Sequence, residues 1–162
     1  MRTIIAGSRS ITDYAVVEEA VRASGFAPSV VLSGTARGVD VLGEQWAANK
    51  RIPLERYPAD WNKHGKAAGP IRNQQMADAA GPGGALVAIP GPGSVGTHDM
   101  IRRAKARGLK VYVHDLTARP AHVLDVDAER HGASGSLGAG VATRGSAVMA
   151  DAPPLNTESE VP

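Results

Sequence analysis

The chain has 162 residues, 43% of them hydrophobic and 21% charged, with a net charge of +2 and no cysteine. That length suits one domain with a sizeable core, and the missing thiols exclude disulfides, zinc–thiolate sites and cysteine nucleophiles. No apolar run approaches the roughly 20 residues that span a bilayer, and the N-terminus reads directly as a strand without a signal peptide's apolar core, so a cytoplasmic protein without a membrane partner is expected.

Residues 2–6 are a β-branched run that predicts the first strand, and it ends in Gly7-Ser8-Arg9. Gly7 gives a tight bend, Ser8 a hydroxyl, and Arg9 a guanidinium able to hold phosphate through two parallel hydrogen bonds. Residues 13–24 carry Val16, Val17, Ala20 and Val21 at helical spacing, with Thr12 or Asp13 as the cap. Residues 29–32 predict the second strand, followed by Ser33-Gly34-Thr35-Ala36-Arg37-Gly38-Val39-Asp40. Two glycines, Arg37 and a helix over 39–50 make this turn a phosphate cradle. Asp40 falls in the first turn of that helix, where a carboxylate also stabilises the helix dipole; the sequence leaves both roles open.

Residues 54–57 predict a short third strand, and 58–69 a long polar loop of the kind that is often functional. Within it, Trp61 is placed to stack on a base and Asp60 to hold ribose hydroxyls, with Lys66 as a further cation. The predicted helix 70–80, with Pro70 in its first turn, brings in Arg72 and Asn73. A continuous apolar strand over 85–89 runs into Pro90-Gly91-Pro92-Gly93-Ser94-Val95-Gly96-Thr97, the best phosphate loop in the chain. A helix over 97–107, ended by Gly108, and a fifth strand over 110–114 complete the pattern. Alternating βα units with continuous apolar strands predict an α/β fold: a Rossmann-like, doubly wound parallel sheet of about five strands. Its strand-to-helix turns lie along one edge, where ligands bind.

The domain is expected over residues 1–116. Thereafter 117–162 is rich in Ala, Gly, Ser and Pro without an aromatic residue, a composition that predicts disorder apart from a short edge element at 123–126. Residues 1–115 hold 15 Lys and Arg against 10 Asp and Glu, a net +5, so the tail is acidic. A basic domain suits an anionic small ligand. Six aromatic residues in all are too few for a base-stacking surface along single strands, so nucleic acid is disfavoured. There is no Gly-Lys-Ser/Thr phosphate loop and no G-x-G-x-x-G after the first strand. His64 and His98 are not at metal-ligand spacing, so no metal site is expected.

Gly7-Ser8-Arg9, Ser33-Gly34-x-Ala36-Arg37-Gly38-Val39-Asp40, Pro58-Ala59-Asp60-Trp61, the stretch from His64 through Arg72-Asn73-x-x-Met76, and Pro90-Gly91 to Gly96-Thr97 together resemble the YspA/YpsA-related branch of the SLOG superfamily. The resemblance covers about residues 1–115 and not the tail. It implies a Rossmann-like domain that binds nucleotides or nucleotide-derived signals, NAD or ADP-ribose-like molecules included, and it implies homodimers, for which the alanine-rich helix near 76–80 offers a face. Members of the LOG type are phosphoribohydrolases whose motif has a glutamate where this chain has Met100, a residue the YspA-like branch habitually carries. Asp99, one position away, points about 100° around the helix. The expected function is therefore binding of a phosphorylated, ribose-containing ligand by a sensor. The alternatives are N-glycosidic hydrolysis, with Asp40 or Asp60 as carboxylate and Arg72 holding phosphate, and DprA-like DNA binding.

Overall fold

A computed structural model describes residues 1–117; the expectations for the tail and its edge element lie outside them. The chain forms β1 (Arg2–Gly7), α1 (Tyr14–Ser24), β2 (Val30–Ser33), α2 (Val39–Asn49), β3 (Leu54–Arg56), α3 (Trp61–His64), a 3₁₀ turn (Gly65–Ala67), α4 (Ala68–Ala80), β4 (Ala85–Ile89), α5 (Val95–Ala106) and β5 (Lys110–Val113). The five strands make one parallel sheet in the order β3-β2-β1-β4-β5.

Strand residues alternate between two cores, as the period-2 pleat dictates. Ile4, Leu32, Leu86 and Ala88 pack with Met76, Ala77, Met100 and Ala104 of α4 and α5. Ile5, Val31, Val87 and Ile89 pack on the opposite face with Val17, Ala20, Trp46 and Ala47 of α1 and α2. Both faces are covered, which is why the central strands read as unbroken apolar runs. The chain builds outward from β1 through β2 to β3, then returns to the other side of β1 for β4 and β5. Strand order thus reverses between β1 and β4, and the crevice outside their carboxyl ends is where such folds bind ligands.

Most boundaries shift by one or two residues from the sequence reading; α5, for example, starts at Val95 instead of residue 97. The long loop holds α3, whose four residues are too few to show periodicity. It is capped by Asp60, whose Oδ1 accepts from the Lys63 amide at 3.1 Å. α4 starts at Ala68 instead of residue 70; Pro70 still falls in the first turn, where no intrahelical acceptor is needed. Asp13 is the cap of α1, accepting from the Ala15 amide at 3.0 Å, and Gly108 takes the left-handed conformation after α5, with φ +80°.

Candidate functional site

The turn after β1 is tied to both neighbours. Ser8 donates its amide to the Ile89 carbonyl at 2.9 Å, and the Val39 amide donates to the Ser8 carbonyl at 3.2 Å. The end of β4 and the start of α2 are thereby drawn to the same point on the sheet rim. Gly38, with φ +82°, lies so close to the Ser8 carbonyl oxygen that a Cβ would collide with it.

The turn after β2 is pinned along its length. Ser33 Oγ accepts from the Thr35 amide at 3.0 Å and donates to Glu44 at 2.8 Å. Asp40 Oδ2 accepts from the Ala36 amide at 3.3 Å. The Gly34 carbonyl accepts from Arg72 Nη1. Gly34 has no room for a side chain: a Cβ would lie 2.5 Å from Arg72 Nη1 and 2.6 Å from Asp40 Oδ2. Thr35 is held at φ +61°, a strained conformation for a β-branched residue.

Two hollows open at this rim. The larger has a volume of about 620 Å3, within the usual range for small-ligand sites. Gly7, Ser8, Arg9 and Asp40 form one wall, and Arg72 and Asn73 of α4 another. Gly93, Ser94, Gly96 and Thr97 close it from the start of α5, while Trp61 and Lys66 stand on the remaining side. Met76 and Met100, each 1% exposed, contribute apolar surface. Trp61 and Val95 are exposed large hydrophobic residues at its edge, 51% and 80% exposed.

The second hollow, about 490 Å3, adjoins it. Arg9, Ala36, Trp61 and Arg72 line both, and Gly34, Thr35 and Arg37 belong to the second alone. Arg9, Arg37 and Arg72 therefore meet there. Of the remaining residues singled out from the sequence, Ser33, Gly38, Asp60 and Gly91 line neither. Ser33 and Gly38 shape the turn, and Asp60 caps α3. The Gly91 amide donates to Ser94 Oγ at 2.9 Å. Ser10, which sequence reasoning passed over, lines the larger hollow and hydrogen-bonds Ser8 Oγ at 2.8 Å; its position next to Arg9 was the available signal.

Charge at the site is unevenly compensated. Burial pushes the Asp40 carboxyl up to about 6, against the opposing pull of Arg72 and of the Ala36 and Gly7 amides. Arg72 is buried, with Nε donating to Asn73 Oδ1 at 3.1 Å. Burial lowers its pKa, Asp40 raises it, and the nearby Arg9 lowers it again. Burial would raise Asp99, but hydrogen bonds from Arg103, Asn73 and Arg102 win and hold it below the usual carboxylate range. Asn73 Nδ2 donates to Asp99 Oδ2 at 3.0 Å and to the Gly96 carbonyl at 3.2 Å, locking the start of α5 to α4. By contrast, Arg9, Arg37 and Lys66 have no acidic partner among the described residues. Ser94 caps α5 without a side-chain hydrogen bond, so the first-turn amides of Gly96 and Thr97 are left to other acceptors. Guanidinium groups beside open helix-start amides form a setting for an anion.

Among the described residues, no His, Asp and Glu cluster is arranged to hold a metal ion. No described helix is long and apolar enough to cross a membrane.

The fold and rim define a Rossmann-like α/β domain with a cationic cavity at its topological switch point. Residues 1–64 match the model of the YspA, cpYpsA-related SLOG family. Across 118 residues the chain is 35% identical to the Gene 61 protein of Mycobacterium phage D29, an alignment covering 68% of this chain and 93% of that protein. The chain belongs to the YspA, cpYpsA-related SLOG family. No solved structure matches it.

Proposed function

We propose that this protein binds a nucleotide or nucleotide-derived ligand, phosphorylated and ribose-containing, in the larger rim hollow, and that it acts as a sensor. The observation that carries the reading is the meeting of Arg9 and Arg72 with the start of α5, which has no side-chain cap hydrogen bond, across one cavity of about 620 Å3. Phosphate sits among the guanidinium groups and the Gly96 and Thr97 amides, where charge-assisted hydrogen bonds are strongest. The base packs on the apolar rim of Trp61 and Val95. Met100 in the cavity wall, and the engagement of Asp99 by three donors, favour holding a ligand over cleaving an N-glycosidic bond.

Calorimetric titration of the full chain with adenosine and guanosine monophosphates, beside the matching nucleosides, tests this. The nucleotides are expected to bind more tightly than the nucleosides by about tenfold to several hundredfold, the worth of one or two charged hydrogen bonds. No binding of any nucleotide at millimolar concentration overturns the reading.

A further inference from the structure

We infer that the second hollow is a subsite for a second anionic group on the same ligand, and that Arg37 is the residue that selects for it. This deepens the proposed function and rests on it. Three arginines line this hollow, Arg9, Arg37 and Arg72, and no Asp or Glu does. The larger hollow differs: Asp40 and Asp99 both line it. The two spaces are contiguous, since Arg9, Trp61 and Arg72 face both. A ligand whose first phosphate reaches Arg9 or Arg72 is therefore already at the mouth of the second.

The loop that presents Arg37 is built before any ligand arrives. Ser33 Oγ holds the Thr35 amide, Asp40 holds the Ala36 amide, and Gly38 is wedged against Ser8. The strained Thr35 sits in the same wall, as conformations of that kind do at ligand-binding loops. The Arg37 backbone is thus fixed between anchored neighbours, while its side chain is exposed and unpaired among the described residues. A guanidinium on a preorganised loop loses little further backbone freedom when it engages an anion.

A ligand carrying two phosphate groups matches this arrangement, whether they are joined in a pyrophosphate-linked dinucleotide or stand at two positions of one nucleotide. The test compares adenosine 5′-monophosphate with diadenosine diphosphate and with adenosine 3′,5′-bisphosphate, titrated into the full chain and into Arg37→Ala and Arg37→Lys. At least one of the two ligands with a second phosphate group is expected to bind about ten- to a hundredfold more tightly than the monophosphate. That ratio should fall towards one in Arg37→Ala and recover in part in Arg37→Lys, which keeps the charge without the planar fork. Which of the two ligands gains identifies the chemistry. If the monophosphate binds and neither ligand gains, or if the gain survives Arg37→Ala, the inference fails while the proposed function stands. If nothing binds, both fail.

Discussion

Arg72 on α4 donates from Nη1 to the carbonyl oxygen of Gly34, 38 residues away in the chain. That bond closes the turn after β2 against the helix after β3, and it sets the wall shared by the two hollows. Because the guanidinium and the Asp40 carboxylate both crowd Gly34, the position tests the arrangement directly. Gly34→Ala is expected to destabilise the protein by about 1–3 kcal/mol, the usual cost of forcing atoms into a filled space. It should also weaken nucleotide binding, since Arg72 must move. Urea unfolding and calorimetry check the two effects; a variant with unaltered stability and affinity would refute the packing described.

Arg72→Met removes the donor to Gly34 and Asn73 and the cation beside Asp40, leaving buried acceptors without a partner. The expected loss is on the order of 3 kcal/mol, read as a lower unfolding midpoint with an unchanged slope. Arg72→Lys should retain more stability than Arg72→Met through its charge, yet bind nucleotide less well than arginine does, because it lacks the fork.

Asp40 gives a pH dependence of unusual sign for a carboxylate. Its folded pKa, near 6, lies above the ordinary value. Below the ordinary value both folded and unfolded states are protonated, and Asp40 has no effect. As pH rises towards 6 the unfolded state releases its proton first, so folding loses stability, in total on the order of 2–3 kcal/mol by neutral pH. Asp40→Asn has no such pH dependence at this position. The stability difference between wild type and Asp40→Asn, from urea unfolding at several pH values, should move in favour of the variant between about pH 4 and 6. Parallel curves over that window would contradict the buried, proton-retaining Asp40.

Trp61 is half-exposed and faces both hollows. Trp61→Ala should change stability by no more than about 0.5 kcal/mol and lower nucleotide affinity by about five- to a hundredfold, as expected for loss of a base-stacking ring. Asp60→Asn is the companion: asparagine caps a helix as well as aspartate does, so affinity should persist if Asp60 only caps α3. Loss of binding in Asp60→Asn, with Trp61→Ala unaffected, would reverse these two assignments.

The sheet was legible because β1, β2 and β4 are continuous apolar runs ending in glycine-bearing turns, and because Gly108 and Asp13 punctuate their helices. The order of the strands was not legible, since each pairing is set by contacts distant in sequence. Asp60 looked the same as a ligand residue and as a cap, because a side-chain oxygen ahead of a helix satisfies both descriptions. The hydrogen bond from Asn73 to Asp99 joins two helices through residues 26 positions apart; no local pattern encodes it. Arg37 and Arg72 both stood out in the sequence as candidate cations, but only the fold divides their surroundings into two hollows.

Nucleotide binding is proposed at the carboxyl rim between β1 and β4. Amide NMR spectra of the full chain, recorded while adenosine 5′-monophosphate is added, show where on the molecule it binds. Saturable shifts are expected at Ser8–Ser10, Ala36, Asn73 and Gly93–Thr97, with Ser29 and Lys110 at the opposite end of the sheet unmoved. Shifts centred on that opposite end, or none at millimolar nucleotide, would contradict the proposed binding.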